Sequence, residues 1–215
     1  MAASTRIAVI GAGNVGGNLG ARLSKSGFPV RFGVRDDKGG AELLARCGAD
    51  ASTGSPAEAA SWGEVVFLAV PGSAAVDVAR SLSKELAGKI VVDCNNALVW
   101  KEGPVWTPPP EGSLTAAIAK AAPGAKVVKG FNGFGAEFHA DPSVGGDRAT
   151  VFFAGDDAAA KKTLTEIAER AGFHPVDAGP LRNAAVLENG AILWIHLALA
   201  GGHGREFAFV MKSRS

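Results

Sequence analysis

Short apolar runs rich in β-branched residues alternate along the chain with stretches whose apolar positions recur every three or four residues. "TRIAVIGAG" (5–13) reads as a buried strand, since Ile7, Val9 and Ile10 are β-branched and Gly11 stops the run. From Asn14 to Lys25, Val15, Leu19 and Leu23 recur at helical spacing. The pattern then repeats as strand "PVRFGV" (29–34), helix "AELLARCG" closed by Gly48, strand "EVVFLAVP" (64–71) and helix "AAVDVARSLSKEL". "KIVVDCNNA" is a strand, "SLTAAIAKAAPG" a helix and "AKVVKGFN" a strand. This βαβ alternation predicts an α/β fold, a doubly wound parallel sheet covered on both faces, with right-handed crossovers.

Two regions break the rhythm. "LVWKEGPVWTPPPEGS" (98–113) reads as a long loop with two tryptophans and four prolines, a lid or an interface arm. Beyond "GFNGFGAEFHADPSVGGDRA" a second unit begins: strand "TVFFAG", helix 157–171, strand "HPVDAG" and an apolar helix started by Pro180. The glycines of "SVGGD" (143–147) suggest the boundary, which gives a dinucleotide-binding domain over 1–145 and a small C-terminal α/β unit over 146–215.

Composition narrows the classes. The 215 residues are 47% hydrophobic and 20% charged with a net charge of +1, ordinary for a soluble domain and without bulk attraction for nucleic acid or membranes. The longest apolar stretch, "AAVLENGAILWIHLALAGG", contains Glu188, Asn189 and His196 and reads as a buried helix rather than a span. It is apolar around its whole circumference, which predicts burial on several sides and a homodimer. The two cysteines, Cys47 and Cys94, offer neither a metal knuckle nor a redox pair, and such sparse thiols fit the cytoplasm. The N-terminal apolar run is too short for a signal peptide.

The candidate chemistry begins at "GAGNVGG". Gly11, Gly13 and Gly16 satisfy G-x-G-x-x-G directly after a strand and at the start of a helix. Gly11 permits the tight turn, Gly13 lets a pyrophosphate approach the backbone, and Gly16 lets helix and strand pack closely. The helix N-terminus then faces the diphosphate. In such folds the rest of the site lies at the carboxyl ends of the strands. Here those ends read Val34-Arg35-Asp36, Ala69-Val70-Pro71, Asn95-Asn96 and Phe131-Asn132. Asparagines suit ribose hydroxyls and a carboxamide, but they also form turns, and Asn95 and Asn96 stand evenly between the two readings. About twenty residues beyond the glycines stands Arg35, where NAD-binding domains carry an acid. A guanidinium there suits the 2′-phosphate of NADP, although Asp36 beside it could favour NAD. His196, inside an apolar helix, reads as a buried, hydrogen-bonded core histidine. His139, His174 and His203 lack metal-ligand spacing. Trp100, Trp106 and Phe134 could wall a planar acceptor or serve as core or dimer contacts.

"IAVIGAGNVG", "FLAVP", "VKGFN", "GPLRNAAVLE" and "GREFAF" together resemble the NADP oxidoreductases that use the deazaflavin coenzyme F420. The resemblance runs over essentially the whole chain. It implies a Rossmann domain with a small C-terminal unit, NADP as cofactor, and hydride exchange with a flavin- or deazaflavin-like acceptor such as F420. It implies a NADP site lined by Gly11, Gly13, Asn14, Val15, Arg35, Ala69, Val70, Pro71, Asn95 and Asn132. Val34 departs from the serine that often precedes the arginine, and the 98–113 loop looks like an elaboration. The chain has no tyrosine, which excludes the tyrosine-dependent carbonyl reductases. Hydride transfer between two cofactors needs alignment more than an acid, so it tolerates the absence of an evident proton donor. A non-catalytic NADP(H)-binding redox sensor would present the same features.

Overall fold

The computed structural model describes residues 5–36 and 39–214. The first half runs β1 (Ile7–Ile10), α1 (Asn14–Lys25), β2 (Val30–Gly33), α2 (Gly40–Ala45), β3 (Ala51–Gly54), α3 (Pro56–Trp62), β4 (Val65–Leu68), α4 (Gly72–Ser81) and α5 (Ser83–Leu86). There follow β5 (Ile90–Asp93), β6 (Leu98–Trp100), β7 (Pro104–Trp106), α6 (Leu114–Ala121), β8 (Lys126–Lys129) and α7 (Ala136–Ala140). The last part holds β9 (Ser143–Val144), β10 (Asp147–Arg148), β11 (Thr150–Phe153), α8 (Ala158–Arg170), β12 (His174–Asp177) and α9 (Ala184–Ile195).

Six strands pair in parallel in the order β3-β2-β1-β4-β5-β8. The chain winds outward from β1 to β3, returns, and winds the other way from β4. The crevice between β1 and β4 is therefore the switch point of a Rossmann sheet. Alternation along each strand explains why both faces are covered. Ile7 and Val9 enter one core with Val65 and Phe67, whereas Ala8 and Ile10 enter the other with Val66 and Leu68. The first core is closed by Leu19 and Leu23 of α1 and by Leu164 and Ile167 of α8. The second is closed by Ala59 of α3, Ala75 and Ala79 of α4 and Ile118 of α6.

Past β8 the direction changes. Lys129 and Ala154 form an antiparallel bridge, exchanging N–H···O bonds of 2.8 and 3.1 Å, so β11 borders the sheet. Across α8, β12 pairs with β11 in parallel, and Val151, Phe153 and Phe173 join the first core.

Several elements differ from the sequence expectations. The 98–113 segment is not simply a loop, because β6 and β7 form an antiparallel hairpin in it. The glycines of "SVGGD" make a tight turn between β9 and β10, with φ of +55° at Gly145 and +86° at Gly146, the backbone a type I′ turn demands. Edge strand β3, "ASTG", carries no apolar run and gave no strand signal. Pro180 starts a single 3-10 turn, Leu181–Asn183, before α9 begins, and a π-helical turn, His196–Ala200, ends it. The run Leu181–Ala200 is long and apolar enough by length and composition to cross a membrane. Within the single chain one face of α9 is covered: Ala184, Glu188, Ala191 and Trp194 are buried, whereas Val186 and Leu193 are exposed.

Candidate functional site

The carboxyl end of β1 meets that of β4 at a backbone contact only glycine allows. Gly11 has φ +97°, and a Cβ there would lie 2.4 Å from the Ala69 carbonyl oxygen. At Gly16 a Cβ would lie 2.0 Å from the Gly11 carbonyl oxygen, so α1 rests directly on the turn. Gly13 is different: a Cβ there would meet nothing within 4 Å. It is the N-cap of α1, no side chain caps the helix, and its first turn holds no acid. The first N–H groups of a helix lack intrahelical partners and carry the positive end of its dipole. The turn thus offers an anion a bare, open cradle at Gly13, Asn14 and Val15.

Two concavities flank this cradle. A cleft of about 390 Å3 runs along Gly11 and Gly13 between Arg35 on one side and Ala69, Val70 and Pro71 on the other. A pocket of about 330 Å3 opens beyond Asn14 and Val15, walled by Asn96, Asn132, Trp194 and Arg205. Since Gly13 and Asn14 are neighbours, an extended ligand crossing the helix terminus would reach from Arg35 to Asn132. Arg35 is exposed at the end of β2 and forms no ion pair among the described residues, while Asp36 borders the same cleft. The fold therefore assembles Gly11, Gly13, Arg35, Ala69, Val70 and Pro71 on one side and Asn14, Val15 and Asn132 on the other. Gly16 supports the turn from behind.

The asparagines separate by role. Asn95 is buried, and its side-chain amide donates to the Leu68 carbonyl at 3.0 Å and to Asp93 Oδ1 at 2.9 Å. Both donors are spent inside the protein. Asn96 and Asn132 clasp each other: Asn96 Nδ2 donates to the Asn132 carbonyl at 3.1 Å, and Asn132 Nδ2 donates to Asn96 Oδ1 at 2.9 Å. Asn132 Nδ2 also reaches the Leu187 carbonyl of α9 at 3.1 Å. Phe131 before it holds φ +58°, a strained value for a bulky residue, and its ring is locked against Phe67 and Phe173.

His139 fastens that turn from below, with Nε2 2.9 Å from the Phe131 carbonyl and Nδ1 3.2 Å from that of Gly135. Burial lowers its pKa to about 4 despite those two carbonyls. The ring is neutral at pH 7. Burial, reinforced by the Asp93 charge, pushes the Cys94 thiol well above its ordinary range. Neither group can exchange a proton readily at neutral pH. Arg205, the cation on the wall, is paired with Glu137 through bonds of 2.7 and 3.1 Å.

His196 is not the buried core histidine its setting suggested; it is exposed where α9 ends, because the helix turns that side to solvent. Among the described residues no group of three His, Cys, Asp or Glu could hold a metal ion. Trp100 is exposed, whereas the Trp106 indole donates to Glu188 at 3.0 Å. Phe134 stacks on Phe173 in the core and edges the 330 Å3 pocket. Sequence reasoning weighed His139 only as a metal ligand, and it missed Trp194 and a buried charge cluster of Asp93, Lys129 and Glu188. The one signal for the cluster was a lysine closing the otherwise buried strand "KVVK".

Residues 6–97, from the residue before β1 to the residue before β6, match the family described as NADP oxidoreductase, coenzyme F420-dependent. The crystal structure of a candidate F420-dependent NADP reductase from Arthrobacter sp. FB24 superposes with a TM-score of 0.87 at 31% identity, over 98% of this chain and 100% of that one. The chain belongs to this family of NADP-dependent oxidoreductases. The F420-dependent NADP reductase of Methanocaldococcus jannaschii is 28% identical over 201 residues, 85% of this chain and 87% of that protein. Metalloreductase STEAP3 of Rattus norvegicus is 34% identical over 184 residues, 85% of this chain. The chain spans only 36% of that metalloreductase's length. The family match contains the glycine turn, Arg35 and the Ala69–Pro71 edge of the cleft, and ends just past Asn95 and Asn96.

Proposed function

We propose that this protein transfers hydride between NADP(H) and a flavin- or deazaflavin-like acceptor, with coenzyme F420 as the type. The observation that carries the reading is the pair of concavities joined across one bare helix terminus. The cleft at Arg35 suits the adenosine 2′-phosphate end, the N-terminus of α1 the diphosphate, and the pocket at Asn132 the nicotinamide. The aromatic and apolar side of that pocket, Trp194, Ile195 and Leu199, is where a planar acceptor would meet the ring. NADP, when bound, supplies the hydride; the chain supplies alignment and exclusion of water. His139 and Cys94, neutral and buried, offer no acid to a developing alkoxide. That favours transfer between cofactors, in which proximity and orientation carry most of the rate, over reduction of a carbonyl.

The experiment is an acceptor screen with purified protein, following NADPH oxidation in the presence of F420, free flavins and quinones. Turnover with a flavin or deazaflavin is the expected result. Tight NADPH binding without turnover by any acceptor would replace this reading with that of a redox sensor. A homodimer, a cytoplasmic setting and a small C-terminal α/β unit from residue 146 that packs against the dinucleotide-binding domain belong to the same proposal.

A further inference from the structure

Lys129, Asp93 and Glu188 are all fully buried, yet none touches either concavity. The ammonium donates to Asp93 Oδ2 at 2.8 Å and to the Asn95 carbonyl at 2.5 Å, and it pairs with Glu188 Oε1 at 3.3 Å. Every carboxyl oxygen already accepts from a donor. Asp93 Oδ1 takes the Asn95 N–H at 3.0 Å and its amide at 2.9 Å, while Oδ2 takes the Thr115 hydroxyl at 2.8 Å. Glu188 Oε1 takes the Leu114 N–H at 2.9 Å, and Oε2 takes the Trp106 indole at 3.0 Å. Donors therefore face all four carboxyl oxygens, an arrangement matched to two carboxylates. Two negative charges against one positive leave a formal excess of one, which the N-terminus of α6 at Leu114 offsets only in part.

Such a cluster is a poor way to gain stability, since apolar residues of similar volume often serve as well. Its position suggests another use. Asp93 and Lys129 both hold Asn95, and the next residue, Asn96, is clasped to Asn132 on the pocket wall. Glu188 follows Leu187, whose carbonyl receives Asn132. The excess charge thus sits directly behind the wall at which the proposed nicotinamide ends.

We infer that the buried carboxylate excess of Asp93, Lys129 and Glu188 poises the bound nicotinamide couple, favouring the cationic oxidised ring over the neutral reduced one. The inference rests on the proposed NADP site. Departure of hydride breaks the C4–H bond of the reduced ring and leaves it with one positive charge. The hydride bonds to the flavin- or deazaflavin-like acceptor, which takes its balancing proton from solvent. A fixed negative charge behind the ring is matched to the charge that develops there. The three side chains are positioning residues, acting through Asn95 and through their field.

The test is the ratio of dissociation constants for NADP+ and NADPH, measured by titration without any acceptor. Glu188→Gln, made with Trp106→Phe so that the new amide meets no indole N–H, removes the excess and should raise Kd(NADP+)/Kd(NADPH) about five- to tenfold. That is the scale of one unit charge acting at an effective dielectric constant of about 20. Lys129→Met doubles the excess and should lower the ratio by a similar factor. Combining all three substitutions leaves one carboxylate and should return the ratio close to the wild-type value. A purely structural cluster would weaken both ligands together and leave the ratio fixed. An unchanged ratio, or shifts of the same sign in the Glu188 and Lys129 variants, overturns the inference. Wild-type protein that binds neither NADP+ nor NADPH would instead overturn the proposed function.

Discussion

Two glycines three residues apart should respond to the same alanine substitution in opposite ways. At Gly16 an added Cβ would lie 2.0 Å from the Gly11 carbonyl oxygen and 3.1 Å from Ala69 Cβ. Backbone cannot swing aside as a flexible side chain can, so α1 must lift from the turn. Overpacking of this kind costs about 1–3 kcal/mol. For a domain of this size, each kcal/mol moves Tm by roughly 2–4 °C, so Gly16→Ala should melt several degrees early. At Gly13 the Cβ meets nothing within 4 Å, and the residue sits at φ −70°, ψ −165°, which alanine adopts freely. Gly13→Ala should therefore melt within about 1 kcal/mol of wild type. The new methyl group would project into the path of the diphosphate. A displacement there should weaken NADPH at least about tenfold, or about 1.4 kcal/mol. Thermal melts and fluorescence titration with NADPH, run on both variants, separate the two effects. Wild-type NADPH affinity in Gly13→Ala would refute the reasoning, because the diphosphate could not then cross the turn at Gly13. A wild-type Tm for Gly16→Ala would refute the packing argument.

Arg35→Ala should weaken NADPH about tenfold or more while leaving NADH nearly unchanged, because a charge-assisted contact to the 2′-phosphate is the only one lost; equal weakening of both in parallel titrations would remove Arg35 as the discriminator. His139 gives stability a pH signature. Its folded pKa of about 4 lies below the ordinary 6.5, so the unfolded chain binds a proton that the folded one refuses. Stability should fall as pH drops from about 6.5 towards 4, His139 contributing on the order of 3 kcal/mol, and His139→Gln should abolish the slope in urea melts between about pH 6.5 and 5. The carboxylates held low, Glu137 and Asp141 among them, begin to lose their contribution as pH falls through their ordinary values of 4.5 and 3.8, so the slope above about pH 5 belongs to His139. All the exposed large hydrophobics among the described residues lie on the β6–β7 hairpin, the Val186–Leu199 stretch and the tail at Phe209 and Met211. Light scattering at micromolar concentration should accordingly give a dimer, and Trp100→Ala should weaken it; a wild-type monomer would count against the expectation.

Local chemistry made much of this protein legible before any folding was considered. Strand β1, the glycine turn and α1 are specified within about twenty consecutive residues, because β-branched runs, glycine stereochemistry and helical spacing act over short range. The strands β4, β5 and β8 were legible for a related reason: their central residues, Val65 to Leu68, Val91 and Val92, and Val127 and Val128, are apolar towards both faces. Arg35 could be placed by counting, since the motif fixes the distance from glycine turn to second strand end. Other elements carried no local signal. Strand β3, "ASTG", is a strand because β2 offers it a parallel edge, with Val30 to Gly33 paired to Ala51 to Gly54. The β6–β7 hairpin was hidden by its prolines and is pinned to α9 by Trp106 and Glu188, 82 residues apart. The difference between Asn95, spent on Leu68 and Asp93, and Asn132, set on the pocket wall, lies in which strand ends converge. Tertiary structure alone decided that Lys129, Asp93 and Glu188 share one buried cluster. Their attraction depends on distance and on exclusion of water, and neither exists until β5, β8 and α9 have packed together.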